Sequence, residues 1–187
     1  MIPRPDASEH LPYFSRYIDL VPDGDLLATM RSQLAGTLVL VHGIDESDGG
    51  HRYDAGKWSI RQVLGHLIDT ERVLSARALH FARRDPAHLP SVDFDLFAES
   101  ADSDARTIVD LAEEMEHVRL ATLRLFRPMT EEVLARRGIA SGAECSVRAL
   151  AWIIAGHEIH HTRILAERYL PGLVHAGAGP HPAATSF

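Results

Sequence analysis

The sequence predicts an all-α protein whose core is a four-helix bundle. Apolar residues recur at helical spacing along four long segments, and the stretches between those segments are rich in glycine, proline and aspartate. No segment shows the sustained alternation of apolar and polar residues that is typical of a strand. The stretch LAGTLVLV around Leu40 could form a strand by composition, but it belongs to a longer helical repeat and is therefore predicted to be helical.

The composition is that of one globular domain. With 187 residues, of which 45% are hydrophobic and 24% charged, the chain is long enough to bury a substantial core. We predict that residues 1–170 form a single four-helix domain. Residues 171–187 are low in large apolar side chains and rich in glycine, alanine and proline, so we predict a disordered tail there.

Charge and cysteine content limit the partners and the location of the protein. A net charge of -7 argues against nucleic acid or an anionic membrane surface, since either would need clustered lysine and arginine. No segment reaches the ~18 apolar residues of a membrane span, and the opening MIPRPDASEH lacks the apolar run of a signal peptide. The single cysteine, Cys145, excludes an intrachain disulfide and suits a reducing compartment, so a cytoplasmic protein is expected.

The first two predicted helices begin at polar N-caps. Asp23 can cap a first helix that runs to about Gly43. Ser59 can cap a second helix, with Gln62 completing a capping box, and this helix runs to about Arg84 before an Asp-Pro pair. The loop between the two helices is rich in glycine and aspartate but lacks the spacing of an EF-hand, so calcium binding is not expected.

A long connection separates the second and third predicted helices. The stretch RDPAHLPSVDFDLFAES is interpreted as a surface connection that Phe94 and Phe97 anchor to the body of the domain. It is long enough to cross the end of a bundle. The third helix is predicted to begin at Asp102 or Ser103 and to run to about Phe126, shortly before a proline that ends it.

A short extra helix and a last long helix complete the domain. The segment TEEVLARRG, from Thr130 to Gly138, combines an acidic first turn with a glycine stop, which predicts a short helix. The connector SGAEC then leads to Ser146, the predicted N-cap of the last helix, which stops before Pro171.

The last helix carries a histidine pair on its apolar face. His157 and His161 are one turn apart, so both imidazoles point the same way. They are in line with the apolar residues Val147, Leu150, Ala151, Ile154 and Leu165. Two buried imidazoles are satisfied when they close on one metal ion, although hydrogen-bonded core histidines would give the same pattern.

His66 provides a third candidate ligand from the second helix, where it lies on the flank of the apolar stripe. Residues on facing helices of a bundle converge on one interior point, which is how such folds build metal sites. Three imidazoles with an open position are the ligand set of a catalytic rather than a structural zinc site. A buried histidine that donates to a backbone carbonyl is the alternative interpretation of His66.

Three segments carry a resemblance to a known family. They are GKWSIRQVLGHLIDTERV, FARRDPAHLPSVDFD and SVRALAWIIAGHEIHHTRILAERYL. Through them the chain resembles the DinB/YfiT-like metalloenzymes, from about Tyr13 to Leu170. The chain differs from the family pattern at Ser91 or Val92, where members often carry a glycine, and this difference bears on substrate contacts rather than on metal binding.

The resemblance implies a fold, a ligand set and an assembly. Members of the family are four-helix bundles, often dimeric. They bind a divalent metal through one histidine of the second helix and an H-x-x-x-H pair of the last helix. For this chain the resemblance implies His66, His157 and His161 as metal ligands and a homodimer as the assembly.

The segment HEIHH also matches the H-E-x-x-H signature of zinc metalloproteases, with Glu158 as the general base. The longer metzincin signature would need glycine and histidine where the chain has Ile164 and Glu167, and no later helix can supply a glutamate ligand. Protease activity is therefore not expected. His160 lies about 100° around the helix from His161, so it is not expected to bind the same metal, and its role is left open.

Acid–base roles are assigned to nearby carboxylates. Glu158 and Asp69 are the candidate catalytic residues, which would move a proton or orient the imidazoles. Glu71 is a further candidate, although it is five residues from His66 and so faces elsewhere on a regular helix. Trp58 is interpreted first as a packing residue.

The predicted function is that of a metal-dependent enzyme acting on a small molecule. The divalent metal is expected to be zinc or nickel, with iron or manganese as alternatives. It would either activate water, which gives a hydrolase, or bind a low-molecular-weight thiol, which gives a transferase or isomerase. The alternative from another class is a non-catalytic metal-binding stress-response module that acts as a dimer.

Overall fold

The computed structural model describes residues 1–173, and in this part of the chain four long helices form a bundle. In order, the elements are α1 (Ser15–Ile18), α2 (Leu26–His42), α3 (Ile60–Ala82), α4 (Phe94–Ser100), α5 (Ile108–Phe126), α6 (Glu131–Leu134), β1 (Arg137–Ala140), β2 (Ala143–Ser146) and α7 (Val147–Ile164). Helices α2, α5, α3 and α7 follow one another around the bundle, because α3 contacts α5 and α7, and α2 contacts the same two helices. The predicted four-helix bundle is confirmed. None of the described helices is long and apolar enough to cross a membrane.

The predicted N-caps Ser59 and Ser146 are confirmed. The Ser59 hydroxyl accepts a hydrogen bond from the Gln62 backbone N–H, and the Gln62 side chain accepts one from the Ser59 N–H, both at 3.0 Å. Ser146 caps α7 by accepting from the Ala149 N–H, and Thr130 caps the short α6. Such caps each stabilise a helix by about 1 kcal/mol, and the caps of α3 and α7 fix where the two histidine-bearing helices begin.

Two predicted helix starts are wrong. The N-cap of α2 is Asp25 rather than Asp23, because the chain still turns at Gly24, where φ is +134°. The N-cap of α5 is Thr107 rather than Asp102 or Ser103, because Asp102 adopts a left-handed conformation and starts only a short 3-10 turn. In both cases the true cap accepts a hydrogen bond from the first turn of its helix.

The long connection after α3 contains a helix that the sequence did not predict. Asp93 accepts hydrogen bonds from the first backbone N–H groups of α4, and α4 packs against α3. Phe94 is partly buried and lies edge-on to His66, with ring centroids 5.9 Å apart, whereas Phe97 is 41% exposed. Phe94 therefore anchors the connection as expected, and Phe97 does not.

The connector before the last helix is a β-hairpin, a small addition to the helical bundle that the sequence did not predict. Strands β1 and β2 pair antiparallel, with Arg137 opposite Ser146. Ser141 and Gly142 both have positive φ, at +53° and +76°, which is the backbone of a tight two-residue hairpin turn. The connection after α3 adds to this hairpin, since the Leu89 N–H donates to the Ile139 carbonyl at 2.9 Å.

The end of the described chain continues α7. A π-helical turn spans Leu165–Tyr169 and a 3-10 turn spans Leu170–Gly172. The Tyr169 hydroxyl donates to the Trp58 carbonyl at 2.9 Å, which ties this end to the start of α3. The predicted disordered tail, residues 171–187, lies mostly outside the described residues. The single domain over residues 1–170 likewise stays a prediction.

The N-terminal lead-in docks closely on α7. Tyr17 and Ile18 of α1 are buried in the same apolar cluster as Trp152 and Ile153 of α7. At Gly156 the backbones approach so closely that an added Cβ would lie 2.0 Å from the Tyr17 carbonyl oxygen. This contact places α1 beside the histidines of α7.

Candidate metal centre

Three histidines from two facing helices converge in the bundle. His66 of α3 and His157 and His161 of α7 each have a ring nitrogen within 4.8 Å of those of the other two. The Nε2 atoms of His66 and His157 are 3.1 Å apart, and the ring centroids of His157 and His161 are 4.4 Å apart. Within residues 1–173 this is the only group of three or more potential ligands so close together. The chain therefore brings together the three histidines that the sequence singled out.

Burial keeps all three rings neutral. It lowers the pKa of His66 to about 4, and it is the main reason why the pKa of His161 falls to about 3. The pKa of His157 lies well below its usual value, first because of burial and then because of the neighbouring imidazoles. A neutral imidazole has a free nitrogen lone pair, which is the form that binds a metal.

The spacing of the nitrogens suits a shared divalent ion. Bonds from zinc to imidazole nitrogen are ~2.0–2.1 Å, so two nitrogens on one tetrahedral ion lie about 3.3 Å apart. The 3.1 Å between the Nε2 atoms of His66 and His157 is close to that value. His161, less buried than the other two, faces the cavity beside them. The three histidines could therefore hold a metal ion and leave it open on the cavity side.

A cavity of 440 Å³ adjoins the three histidines, a size that suits a small-molecule ligand. Its apolar and aromatic walls consist of Phe14, Trp58, Leu74, Val92, Phe94 and Ile153. Its other lining residues, apart from the three histidines, are Tyr13, Arg16, Tyr17, Thr70, Arg77, Asp93, Asp95 and His160. The cavity thus combines an apolar and aromatic wall with a set of charged and polar groups.

Aromatic and hydroxyl side chains hold the imidazoles in place. The Trp58 ring packs on His66 with centroids 4.6 Å apart, and the Tyr17 ring lies edge-on to His157 at 5.3 Å. The Thr70 hydroxyl lies 3.5 Å from His66 Nδ1. This contact leaves the Nε2 atom of His66 as the nitrogen that faces the other histidines.

His160 lies in the cavity wall but outside the group of three potential ligands, in agreement with its position around the helix. Its ring is edge-on to Tyr17 at 5.4 Å and to His161 at 5.0 Å. Burial, together with the positive charge of Arg16, lowers the pKa of His160. His160 is therefore a half-buried neutral base on the wall that a ligand would touch.

Glu158 does not reach the cavity. Its Oε1 accepts a hydrogen bond from the Thr37 hydroxyl at 2.7 Å, and its Oε2 accepts one from Arg119 Nη1 at 2.6 Å. Arg119 also donates to both carboxylate oxygens of Glu71, at 2.7 to 3.1 Å. We name these four residues the Arg119 network. A gap of 10 Å³, about one water molecule, separates it from His157.

Asp69 also lies outside the cavity lining. Its side chain is 30% exposed and lies 3.9 Å from Arg72, and burial raises its pKa. Thr70, one residue further along α3, occupies the position next to His66 instead. The structure thus brings neither Asp69 nor Glu158 to the cavity, and their catalytic roles stay predictions. Glu71 faces away from His66, as its spacing predicted.

Sequence reasoning missed most of the cavity wall. The contributions of Tyr17 and Arg16 depend on how the N-terminal lead-in docks on α7, which leaves no local sequence signal. Arg77 did carry a signal, since it follows His66 and Thr70 on one face of α3 at helical spacing. A charged side chain among the core-facing positions of a helix needs an explanation.

The bundle brings three neutral imidazoles together between facing helices. This arrangement is that of a class of helical proteins that could hold a divalent ion there. Comparison with families identifies the one to which the chain belongs. Residues 29–165 match the DinB superfamily, and because this match spans well over half of the sequence, the chain is a member of that superfamily. The resemblance seen in the sequence is confirmed. No curated protein matches the chain.

Several solved structures share the fold. YfiT from Bacillus subtilis, described as a probable metal-dependent hydrolase with an unusual four-helix bundle topology, has a TM-score of 0.68 at 17% identity, over 91% of this chain and 93% of that chain. The DinB-like protein YjoA from Bacillus subtilis has a TM-score of 0.59 at 19% identity, over 82% of this chain and 94% of that chain. The mycothiol-dependent maleylpyruvate isomerase has a TM-score of 0.62 at 13% identity, over 78% of this chain and 61% of that chain. At these identities the likeness shows the fold.

Proposed function

We propose that the chain is a metal-dependent enzyme in which His66, His157 and His161 hold a divalent ion and the adjoining cavity binds a small-molecule substrate. The observation that carries this proposal is the convergence of three neutral imidazoles on the wall of a 440 Å³ cavity. Imidazole nitrogens suit zinc, nickel and iron. We expect the ion to be zinc or nickel, with iron or manganese as alternatives.

The chemistry divides between the ion and the chain. A divalent ion bound there would supply Lewis acidity, which lowers the pKa of a water or thiol and polarises a carbonyl group. The chain orients the ligands, since Trp58 and Tyr17 pack on the rings of His66 and His157. The apolar walls keep bulk water from the reacting end of a bound molecule, which strengthens electrostatic interactions there.

We assign proton transfer to His160, which lines the cavity, rather than to Glu158 or Asp69, which do not. His160 lines the cavity next to His161, and burial lowers its pKa. Glu158 uses both of its carboxylate oxygens to bind Thr37 and Arg119, so it acts as a positioning residue for α7. His160→Gln should lower kcat more than it raises KM and should leave metal content unchanged.

Hydrolysis is the reaction that we favour, because it needs no cosubstrate other than water. The likeness to YfiT, described as a probable metal-dependent hydrolase, extends over nearly the whole of both chains. A thiol-dependent transferase or isomerase is the second candidate. Its support is the likeness to the mycothiol-dependent isomerase and a cavity with room for a small thiol beside the histidines.

We also propose an assembly and a location. A homodimer follows from the pattern of the family, and a cytoplasmic location follows from the lone Cys145. The alternative function is a non-catalytic metal-binding stress-response module that acts as a dimer. Activity decides between the enzyme and the module.

Metal content tests the ligand set. We expect elemental analysis of the purified protein to give one divalent ion per chain, and His66→Ala to lose it while circular dichroism shows an intact fold. His117→Ala is the matched control, because His117 is exposed on α5, away from the site. Full metal content in His66→Ala would contradict the proposed ligand set.

Turnover is tested on esters, amides and thiol-dependent substrates with zinc, nickel, manganese and iron in turn. Hydrolysis of an ester or amide that His66→Ala abolishes supports the favoured reaction, and turnover that requires a thiol supports the second candidate. If a fully metal-loaded protein turned over none of these substrates, the result would contradict an enzymatic function and favour the non-catalytic metal-binding module.

A further inference from the structure

Arg77 is a buried arginine without an acidic partner in the described part of the chain, residues 1–173. It is 8% exposed, and its Nη2 donates to the Pro90 carbonyl and to the Ser141 hydroxyl, both at 3.0 Å. Both partners are neutral, and within residues 1–173 no carboxylate pairs with the guanidinium. Burial lowers the pKa of Arg77, yet a guanidinium stays protonated in proteins, so a positive charge lies there without a negative one.

The guanidinium of Arg77 has hydrogen-bonding capacity to spare. Its two observed bonds both use Nη2, and no hydrogen bond to another described residue uses Nε or Nη1. A guanidinium presents five N–H donors in a planar fork that matches a carboxylate. Because Arg77 also lines the cavity, these free donors are available to a molecule bound there.

Arg77 shares one cavity with the three histidines and one helix face with His66. His66, Thr70 and Arg77 follow one another along α3, and all three line the cavity. Three helical turns separate the first from the last, which is about 16 Å between their Cα positions. The Cα–Cβ bond of a helical residue tilts toward the N-terminus of its helix, which for Arg77 is the end that carries His66. Leu74 lies between them on α3, and the cavity lining also includes the apolar side chains of Phe94, Val92 and Ile153.

We infer that Arg77 is the anion-binding residue of the cavity and that the substrate is an elongated organic acid. Its carboxylate pairs with Arg77 while its reacting group lies at the three histidines. The apolar walls contact the carbon chain between these two ends. A single guanidinium neutralises one negative charge, which matches a carboxylate. The inference rests on the proposed function for the identity of the reacting end and names the substrate class of that same site.

The other charged residues of the cavity lie near its mouth. Asp93 and Asp95 are exposed, and the Asp93 carboxylate is already occupied by N–H groups of α4. Arg16 is exposed as well and donates to the Tyr13 and Tyr17 hydroxyls. Solvent screens these three charges, whereas the buried charge of Arg77 is screened much less.

Two-headed probes test the inference on the zinc-loaded protein. A hydroxamate binds metal ions, so the monohydroxamates of adipic, suberic and sebacic acid present a metal-binding head and a distant carboxylate. Octanohydroxamic acid has the same head without the carboxylate. By calorimetry we expect one chain length to bind roughly tenfold more tightly than octanohydroxamic acid, the gain of one charge-assisted contact. Arg77→Met should abolish that preference, and Arg77→Lys should keep part of it.

Octanoate on the metal-free protein separates the two proposals. It should raise the melting temperature of the wild-type chain and leave that of Arg77→Met unchanged, since its carboxylate reaches Arg77 without any ion. Failure of every hydroxamate to bind the zinc-loaded chain, with octanoate still acting through Arg77, would refute the open metal site alone. Equal affinity for octanohydroxamic acid and all three carboxylated probes would refute the role of Arg77 alone.

Matched controls exclude indirect effects. Arg72→Met removes the same charge from the same helix, but the Arg72 side chain lies outside this cavity and pairs with Glu114. Ser141→Ala removes one neutral partner of Arg77 and keeps the guanidinium. Both variants should retain the preference for a carboxylated probe. Loss of the preference in Arg72→Met would assign it to overall charge and overturn the inference. The comparison of the carboxylated probes with octanohydroxamic acid uses the wild-type chain alone. It therefore tests the inference even if Arg77→Met does not fold.

Discussion

Two buried arginines on either side of His157 show how differently one bundle uses the same side chain. Arg119 lies in the Arg119 network, where Glu71 and Glu158 accept its hydrogen bonds. Burial alone would lower the pKa of Arg119, but the charges of these two carboxylates raise it. Arg77 lies in the cavity wall with neutral partners only. The first charge is compensated by carboxylates of the chain, whereas no carboxylate among the described residues pairs with the second.

The difference teaches which side of the bundle is structural and which is available to ligands. The Arg119 network takes one residue from each long helix, Thr37 from α2, Glu71 from α3, Arg119 from α5 and Glu158 from α7. It fixes the rotation of all four helices and hence the meeting of α3 and α7 at the histidines. Its two carboxylates outnumber its one guanidinium, so a formal negative charge remains behind His157, which favours a cation on the other side.

Breaking the Arg119 network should have the largest effect on stability. Arg119→Met leaves Glu71 and Glu158 buried without a positive partner, so the free energy of unfolding should fall by about 3 to 5 kcal/mol. Urea denaturation followed by circular dichroism measures this change. The same substitution at Arg77 should cost much less, because it removes an uncompensated charge together with two neutral hydrogen bonds.

A triple variant gives the control for this first comparison. Replacing Arg119, Glu71 and Glu158 together by apolar residues of similar size removes all the charges at once, so its cost should be smaller than that of Arg119→Met. If Arg77→Met were as destabilising as Arg119→Met, the division into a structural and a ligand-binding side would not hold.

Displacing α1 should have the next largest effect, and it acts on the cavity side. In Gly156→Ala the new Cβ would lie 2.0 Å from the Tyr17 carbonyl oxygen, so α1 must move away from α7. We expect a loss of about 1 to 3 kcal/mol in the free energy of unfolding. Weaker binding of the hydroxamate probes should accompany it, because Tyr17 and Arg16 form part of the cavity wall.

Gly36→Ala is the matched control. Gly36 also lies within a long helix, but a Cβ there meets nothing within 4 Å, so this substitution should stabilise the chain by up to about 1 kcal/mol. Equal effects of the two substitutions on the free energy of unfolding would show that the contact between α1 and α7 does not contribute to stability.

The features that local chemistry determines were predictable from the sequence. Ser59 with Gln62, and Ser146, gave the starts of the two histidine-bearing helices, since a cap and its partner are three residues apart. The pair His157 and His161 followed from helical spacing alone. His66 became a partner of that pair through the rule that facing helices of a bundle converge, together with the resemblance to the DinB family.

The features that depend on distant contacts were not predictable. Arg119 reads as one more charged residue on an amphipathic helix, and only the packed bundle shows that it meets Glu71 and Glu158. The hydrogen bonds of Glu158 to Thr37 and Arg119 were not predictable either, because they depend on how α2 and α5 pack against α7. The cavity wall from α1 likewise depends on a contact across most of the chain.

Acidic pH should weaken the attachment of the N-terminal lead-in to α7. We expect this effect on stability to be smaller than those of Arg119→Met and Gly156→Ala. Burial alone would raise the pKa of Glu9, but hydrogen bonds from Arg148 and Ser146 and the charge of Arg148 lower it to about 2. A lowered pKa means that the ionised form stabilises the fold. This contribution is fully present above the ordinary pKa of 4.5 and is lost as the pH falls toward 2. Glu9→Gln should therefore cost about 1 to 2 kcal/mol at pH 7, with the difference from wild type narrowing between pH 4.5 and pH 2.

Glu144→Gln provides the comparison for Glu9→Gln. Glu144 pairs with Arg137 at 2.7 Å, but its side chain is 55% exposed, so solvent screens the pair and the substitution should change stability little at any pH. Urea denaturation of both variants and the wild type across this pH range measures the three curves. A constant difference between Glu9→Gln and wild type would mean that the charge of Glu9 does not hold the lead-in against α7. In that case the apolar contact at Gly156 would be the main attachment of this side of the cavity.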